Sequence, residues 1–171
     1  MNPAHFGDSY DIVKRFFCHE LHVLGYSLDA LPMFTGEWQE GAQCEFLRFI
    51  GATPLESSGV ESRRDALFVD PDTGVRRKAG PKHVSLHELA GHTKKYDLVF
   101  SFDQSFSRQH DPANAMREKL ALLADARCPA MYYNSHARFL FVSAKNELLS
   151  ELRSHLESLG LQAFRFVTSD T

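Results

Sequence analysis

The chain lacks most of the features that would assign it to a class at sight. It has three cysteines in 171 residues, Cys18, Cys44 and Cys128, widely spaced and without a CxxC pair. That excludes a disulfide framework and a zinc ribbon as the source of stability. No apolar run approaches the roughly 18 residues of a membrane helix. The opening MNPAHFGDSYD has neither the basic nor the apolar region of a signal peptide, so no membrane partner and a cytoplasmic location are expected. The net charge is only -3, which leaves no global basic field for nucleic acid; any such contact must be local. GxxxxGK[ST], GxGxxG and GxSxG are all absent. HVSLHELAGH fails as a zinc-protease motif: after His87-Glu88 the required histidine position is Gly91, and His92 comes one residue late.

What is present is an ordinary globular length with alternating helix and strand patterns. Phenylalanine is abundant, at 14 residues, and falls largely in short apolar runs. Asp8 or Ser9 caps an amphipathic helix carrying Ile12, Val13, Phe16, Phe17, Leu21 and Leu24, stopped near Gly25. An extended segment, YSLDALPMF, precedes a second helix from Trp38 to Ile50. Strands are expected at 66–69 and 97–102, and Ser85 with Glu88 forms a capping box for LHELAGH. Asp111 and Pro112 start a long helix. A hairpin joins 130–133 to 138–142 through Asn-Ser-His-Ala. A last helix spans Lys145–Leu159, and a strand is expected at Ala163–Val167. The order predicts one domain over residues 1–171: a three-layer, Rossmann-like α/β sandwich with a mixed sheet and a C-terminal antiparallel hairpin.

Chemistry concentrates where strands end, the usual place for ligands in open α/β sheets. In DALFVDPDTGVRRK an apolar strand runs into Asp70-Pro71-Asp72-Thr73-Gly74 and then Arg76, Arg77 and Lys78. Two carboxylates one residue apart on a proline-stiffened turn suit a hard cation, Mg²⁺ or Mn²⁺, held by Asp70 and Asp72. The same residues also make a plain turn, and both readings stand at this point. Glu88 is a candidate third carboxylate. Lys82 is a candidate to meet phosphate in the catalytic centre. Gln104 and Arg108 follow the second strand and could orient substrate or clamp a phosphate. Asp8 and Lys14, near the start of the first helix, join the site if that helix faces it. Tyr132, Tyr133, Phe139 and Phe141 could stack bases, or simply alternate into a core.

These motifs resemble a family of small, uncharacterised bacterial and phage proteins: GDxYDxxK at residues 7–14, DPD[TN]G at 70–74, Lys82-His83, Glu88-Leu89, and Gln104 with Arg108. The resemblance implies one shared site without naming a reaction. More loosely, Asp70-Pro71-Asp72-Thr73 resembles the DPPY strand end of Rossmann-type amino-methyltransferases, with Asp72 replacing a proline and no glycine-rich loop for S-adenosylmethionine. The expected function is divalent-metal-dependent phosphoester or nuclease chemistry on nucleic acid or a nucleotide. The alternatives are a non-catalytic binding or regulatory protein on a Rossmann-like scaffold, or a methyltransferase-like protein.

Overall fold

A computed structural model describes residues 2–54, 64–106 and 111–169. Among these, the main sheet has seven strands: β1 (Ser27–Pro32), β2 (Thr53–Pro54), β3 (Asp65–Asp70), β6 (Leu98–Phe102), β7 (Ala130–Tyr133), β8 (Phe139–Val142) and β9 (Phe166–Thr168). A separate parallel pair joins β4 (Val75–Arg76) to β5 (Val84–Ser85). The main sheet runs β2-β1-β3-β6-β8-β7-β9. The first four strands are parallel, and the hairpin places β8 antiparallel between β6 and β7. The expected α/β sandwich with a mixed sheet is the fold observed.

The inner strands read as unbroken apolar runs because both faces are covered. Helices α1 (Ser9–Val23), α2 (Ala42–Ile50) and α5 (Asn146–Ser158) cover one face. There Phe68, Phe100 and Phe141 stack across three neighbouring strands, with centroids 4.8 and 5.8 Å apart, and Phe17 of α1 packs on Phe139 and Phe141. Helices α3 (Leu86–His92) and α4 (Pro112–Asp125) cover the other, over Leu67, Val99, Leu140 and Val142. The hairpin aromatics are therefore core: Tyr132, Phe139 and Phe141 are buried, and Tyr133 packs on Phe17 and Phe166. They offer no stacking platform.

Two boundaries differ from expectation, each for a local reason. The second helix starts at Ala42, not Trp38, because Gly41 sits left-handed at its start, and Trp38 packs instead on Phe34 and Phe46. Residues 163–165 form a 3-10 turn, which delays the last strand to Phe166. The short pairings of β2, β4 and β5 carry too few residues to show a period.

The topology also sets where ligands belong. From β1 the chain passes through α2, on the first face, to β2. From β3 it passes through α3, on the opposite face, to β6. The carboxyl ends of β1 and β3 thus form a switch point, the general location of ligand crevices in open α/β sheets.

Candidate functional site at the end of β3

Helix α1 delivers its first turns to the end of β3. Gly7 turns at positive φ and donates its N–H to Asp11 Oδ2 at 2.9 Å. Asp8 caps the helix, its Oδ1 accepting from the backbone N–H groups of Tyr10 and Asp11. One turn on, Lys14 Nζ donates to Asp11 Oδ1 at 3.0 Å and to Asp70 Oδ2 at 2.9 Å. It also lies over the rings of Phe46 and Phe102, at 5.5 and 5.1 Å. Every specified residue of GDxYDxxK therefore has work at one spot: turn, cap, wall, carboxylate and ammonium.

The ion triad is dry. Asp11, Lys14 and Asp70 are 1%, 3% and 1% exposed. Burial pushes the Asp70 carboxyl above its ordinary range, with Lys14 opposing. Burial would lower Lys14, but Asp70 and Asp11 hold it above its usual value, so it keeps its charge. Asp70 Oδ1 is the one buried side-chain N or O atom without a hydrogen-bond partner among the described residues. Such an orphan costs about 1–3 kcal/mol.

Asp70 lines a cleft of about 220 Å³, together with Asp8, Tyr10, Asp11, Lys14, Asp72, Phe102 and Gln104 and with Asn2, His5 and Pro71. Tyr10 stacks on His136 of the β7–β8 turn, with centroids 5.0 Å apart. Of the residues singled out in the sequence, the fold gathers Asp8, Lys14, Asp70, Asp72 and Gln104. Lys82 reaches it indirectly, through a 3.3 Å ion pair with Asp72. Glu88 does not join it: its Oε2 accepts from Ser85 N and Oγ, at 2.7 and 2.8 Å, completing the expected capping box on α3. Arg108 lies outside the described residues.

The rest of the Asp-Pro-Asp-Thr-Gly turn is bound on all sides. Asp72 accepts from Thr35 Oγ1 at 3.0 Å. Thr73 donates its N–H and its hydroxyl to the Lys82 carbonyl, and its hydroxyl contacts His83. Gly74 runs against the turn after β6, whose Asp103 is fully buried and fully engaged. Asp103 Oδ1 accepts from Val75 N and Ser105 N, and Oδ2 from Lys119 Nζ at 2.6 Å and Tyr132 Oη at 2.8 Å. Lys119 also donates to Val75 O and Ser105 Oγ. Asp103 directly follows the apolar run of β6, but nothing local in the sequence joins it to Lys119 or Tyr132, which arrive from α4 and β7.

Burial works to raise the Asp72 carboxyl, but its surroundings, the Thr35 and Lys82 contacts among them, outweigh this and hold it below the usual range. A depressed carboxylate contributes stability above its unfolded pKa of about 3.9, and loses it as pH falls through the folded value. Asp72→Asn is therefore expected to be less stable than wild type at pH 7 in urea unfolding. The gap should narrow below about pH 4; a gap independent of pH would show that Asp72 acts by shape alone.

No protein-family model, curated protein or solved structure matches the chain. Among the described residues, no group of three or more His, Cys, Asp or Glu side chains is arranged to hold a metal ion, and no helix is long and apolar enough to cross a membrane.

Proposed function

We propose that the protein binds a nucleobase, free or as part of a nucleotide or nucleic acid, in the cleft at the end of β3. In this reading the exocyclic amino group of the base donates to Asp70 Oδ1. The observation that carries it is that oxygen: buried, unpartnered, and held in place by Lys14 through its neighbour. Cytosine and adenine each present such an amino group, and a carboxylate is a matching acceptor. Tyr10 and Phe102 supply aromatic walls of the kind on which bases stack. At about 220 Å³ the cleft falls below the roughly 300–1,000 Å³ of drug-sized pockets, which suits one base rather than a whole cofactor. Arg76 of β4 and Arg77 and Lys82 of the loop after it, all exposed, would meet phosphates outside it. The resemblance of Asp70-Pro71-Asp72-Thr73 to DPPY strand ends, taken with the antiparallel tail of the sheet, supports the reading.

A second reading keeps the divalent cation at Asp70 and Asp72, with phosphoester hydrolysis as the reaction. Its support is the four carboxylates, Asp8, Asp11, Asp70 and Asp72, that line one cleft. Against it stands Lys14, whose ammonium lies 2.9 Å from Asp70 Oδ2. Near a protein surface, two unit charges about 4 Å apart repel by about 4 kcal/mol, and a dication doubles that.

Calorimetric titration with cytidine, adenosine, Mn²⁺ and S-adenosylmethionine decides between them. Saturable binding of one nucleoside, weakened at least about tenfold in Asp70→Asn, is the expected result. Binding of Mn²⁺ lost in the same variant would move the assignment to the hydrolase. Binding of S-adenosylmethionine alone would move it to a methyltransferase. Nucleoside binding indifferent to Asp70→Asn would remove the base from this cleft.

A further inference from the structure

A second cavity, about 240 Å³, opens on the other side of the same strand ends. It straddles the switch point itself: Leu31, Pro32 and Met33 close it from β1 and its exit, and Val69 from β3. Side chains alternate along β3, so Val69 and Asp70 point to opposite faces, and the two cavities lie back to back across the strand. The chain thickens this wall with Met33 N donating to Asp70 O at 2.9 Å.

The linings differ in chemistry. The first cavity holds four carboxylates and one ammonium; the second is mainly aliphatic, with His83, Glu88 and His92 as its titratable side chains. Two of those three are already engaged: His83 contacts Thr73, and Glu88 holds the helix cap. The imidazole of His92, partly buried, makes no hydrogen bond among the described residues. Burial lowers its pKa despite Glu88 one turn away, which keeps the ring neutral, with one donor and one acceptor nitrogen. A neutral imidazole edge beside an aliphatic wall selects against ions and for an apolar body with a single hydrogen-bonding group.

We infer that the crevice between the ends of β1 and β3 is a separate binding site for a small, neutral, largely apolar molecule, an aromatic heterocycle in size and polarity, whose one polar group pairs with His92. The inference does not depend on what occupies the Asp70 cleft.

Indole is a suitable probe, being neutral, flat and furnished with one N–H. Titrated into methyl-labelled protein, it should shift the Leu31, Met33, Val69 and Val84 methyl resonances saturably, at about millimolar affinity or tighter. Asp70→Asn should leave that titration unchanged. His92→Ala should weaken it about three- to tenfold, the measure of one neutral hydrogen bond. Ala79→Trp, placing a ring at the mouth from an exposed loop position, should abolish it while leaving the melting temperature within a degree or so of wild type. Absence of saturable shifts, or shifts indifferent to Ala79→Trp, would overturn the assignment.

Discussion

Lys14→Met should cost about 3–5 kcal/mol of folding stability, measured by urea unfolding at pH 7. The side chain fits the space, so the loss is electrostatic. Removing the ammonium leaves Asp11 and Asp70 facing each other, each 1% exposed, with no counter-charge between them. Uncompensated buried carboxylates escape only by protonating, so the variant should be least impaired at acid pH. Asp70→Asn made in the Lys14→Met background should recover a large part of the loss, because it removes one of the two stranded charges. The surface pair Arg64–Glu151, with its side chains 35% and 41% exposed, is the control. Breaking it should cost no more than about 1 kcal/mol. If Lys14→Met proved no worse than that control, the triad would be a solvated cluster and not the dry centre of the site.

Gly74→Ala should cost about 3 kcal/mol or more, and should weaken any ligand of the Asp70 cleft with it. Gly74 sits at φ +105°, where a non-glycine residue is strained by about 1–3 kcal/mol. An added Cβ would also lie 2.7 Å from Gln104 N and 2.8 Å from Ser105 N, and closer still to Asp103 Oδ1. None of these can yield: two are backbone, and the third belongs to a carboxylate fixed by four hydrogen bonds. Gly25 separates the two effects, having φ +84° with nothing within 4 Å of where a Cβ would stand. Gly25→Ala should show the strain alone, about 1 kcal/mol. Equal losses at the two positions would mean that the Gly74 loop can move away from the β6 turn.

Much of this architecture was legible beforehand, and the reason is physical. Caps and periods are local, so Asp8, Ser85 and Asp111 marked their helix starts in the sequence, and the apolar runs of β3 and β6 announced strands. The site was legible in part for the same reason: strand ends and helix starts are recognisable, and the α/β architecture brings them together. What could not be read was which atom meets which. Lys14 and Asp70 are 56 residues apart, and their sharing of Asp11 exists only in the fold. Gly74 is a more instructive case. Its sequence context announced a turn, yet the need for glycine there is set by the backbone of Gln104 and Ser105, thirty residues on. Glu88 shows the converse: a local signal, the capping box, already accounted for the residue, and its carboxylate is spent there.

The insertion of β8 between β6 and β7 has a consequence for the order in which the chain can be made. As it emerges from the ribosome, β6 can pair with β3 at once, but its other edge stays bare until residues 139–142 appear. For roughly forty residues of synthesis, Leu98–Phe102 presents a flat apolar margin ready to join any neighbouring strand. Asp103 waits equally long, since Tyr132 and Lys119 are both downstream. The turn that frames the Asp70 cleft is therefore among the last parts of the molecule to set. A ribosome stalled before the hairpin would hold a nascent chain with its sheet half built, and such a chain needs a chaperone more than the finished protein does.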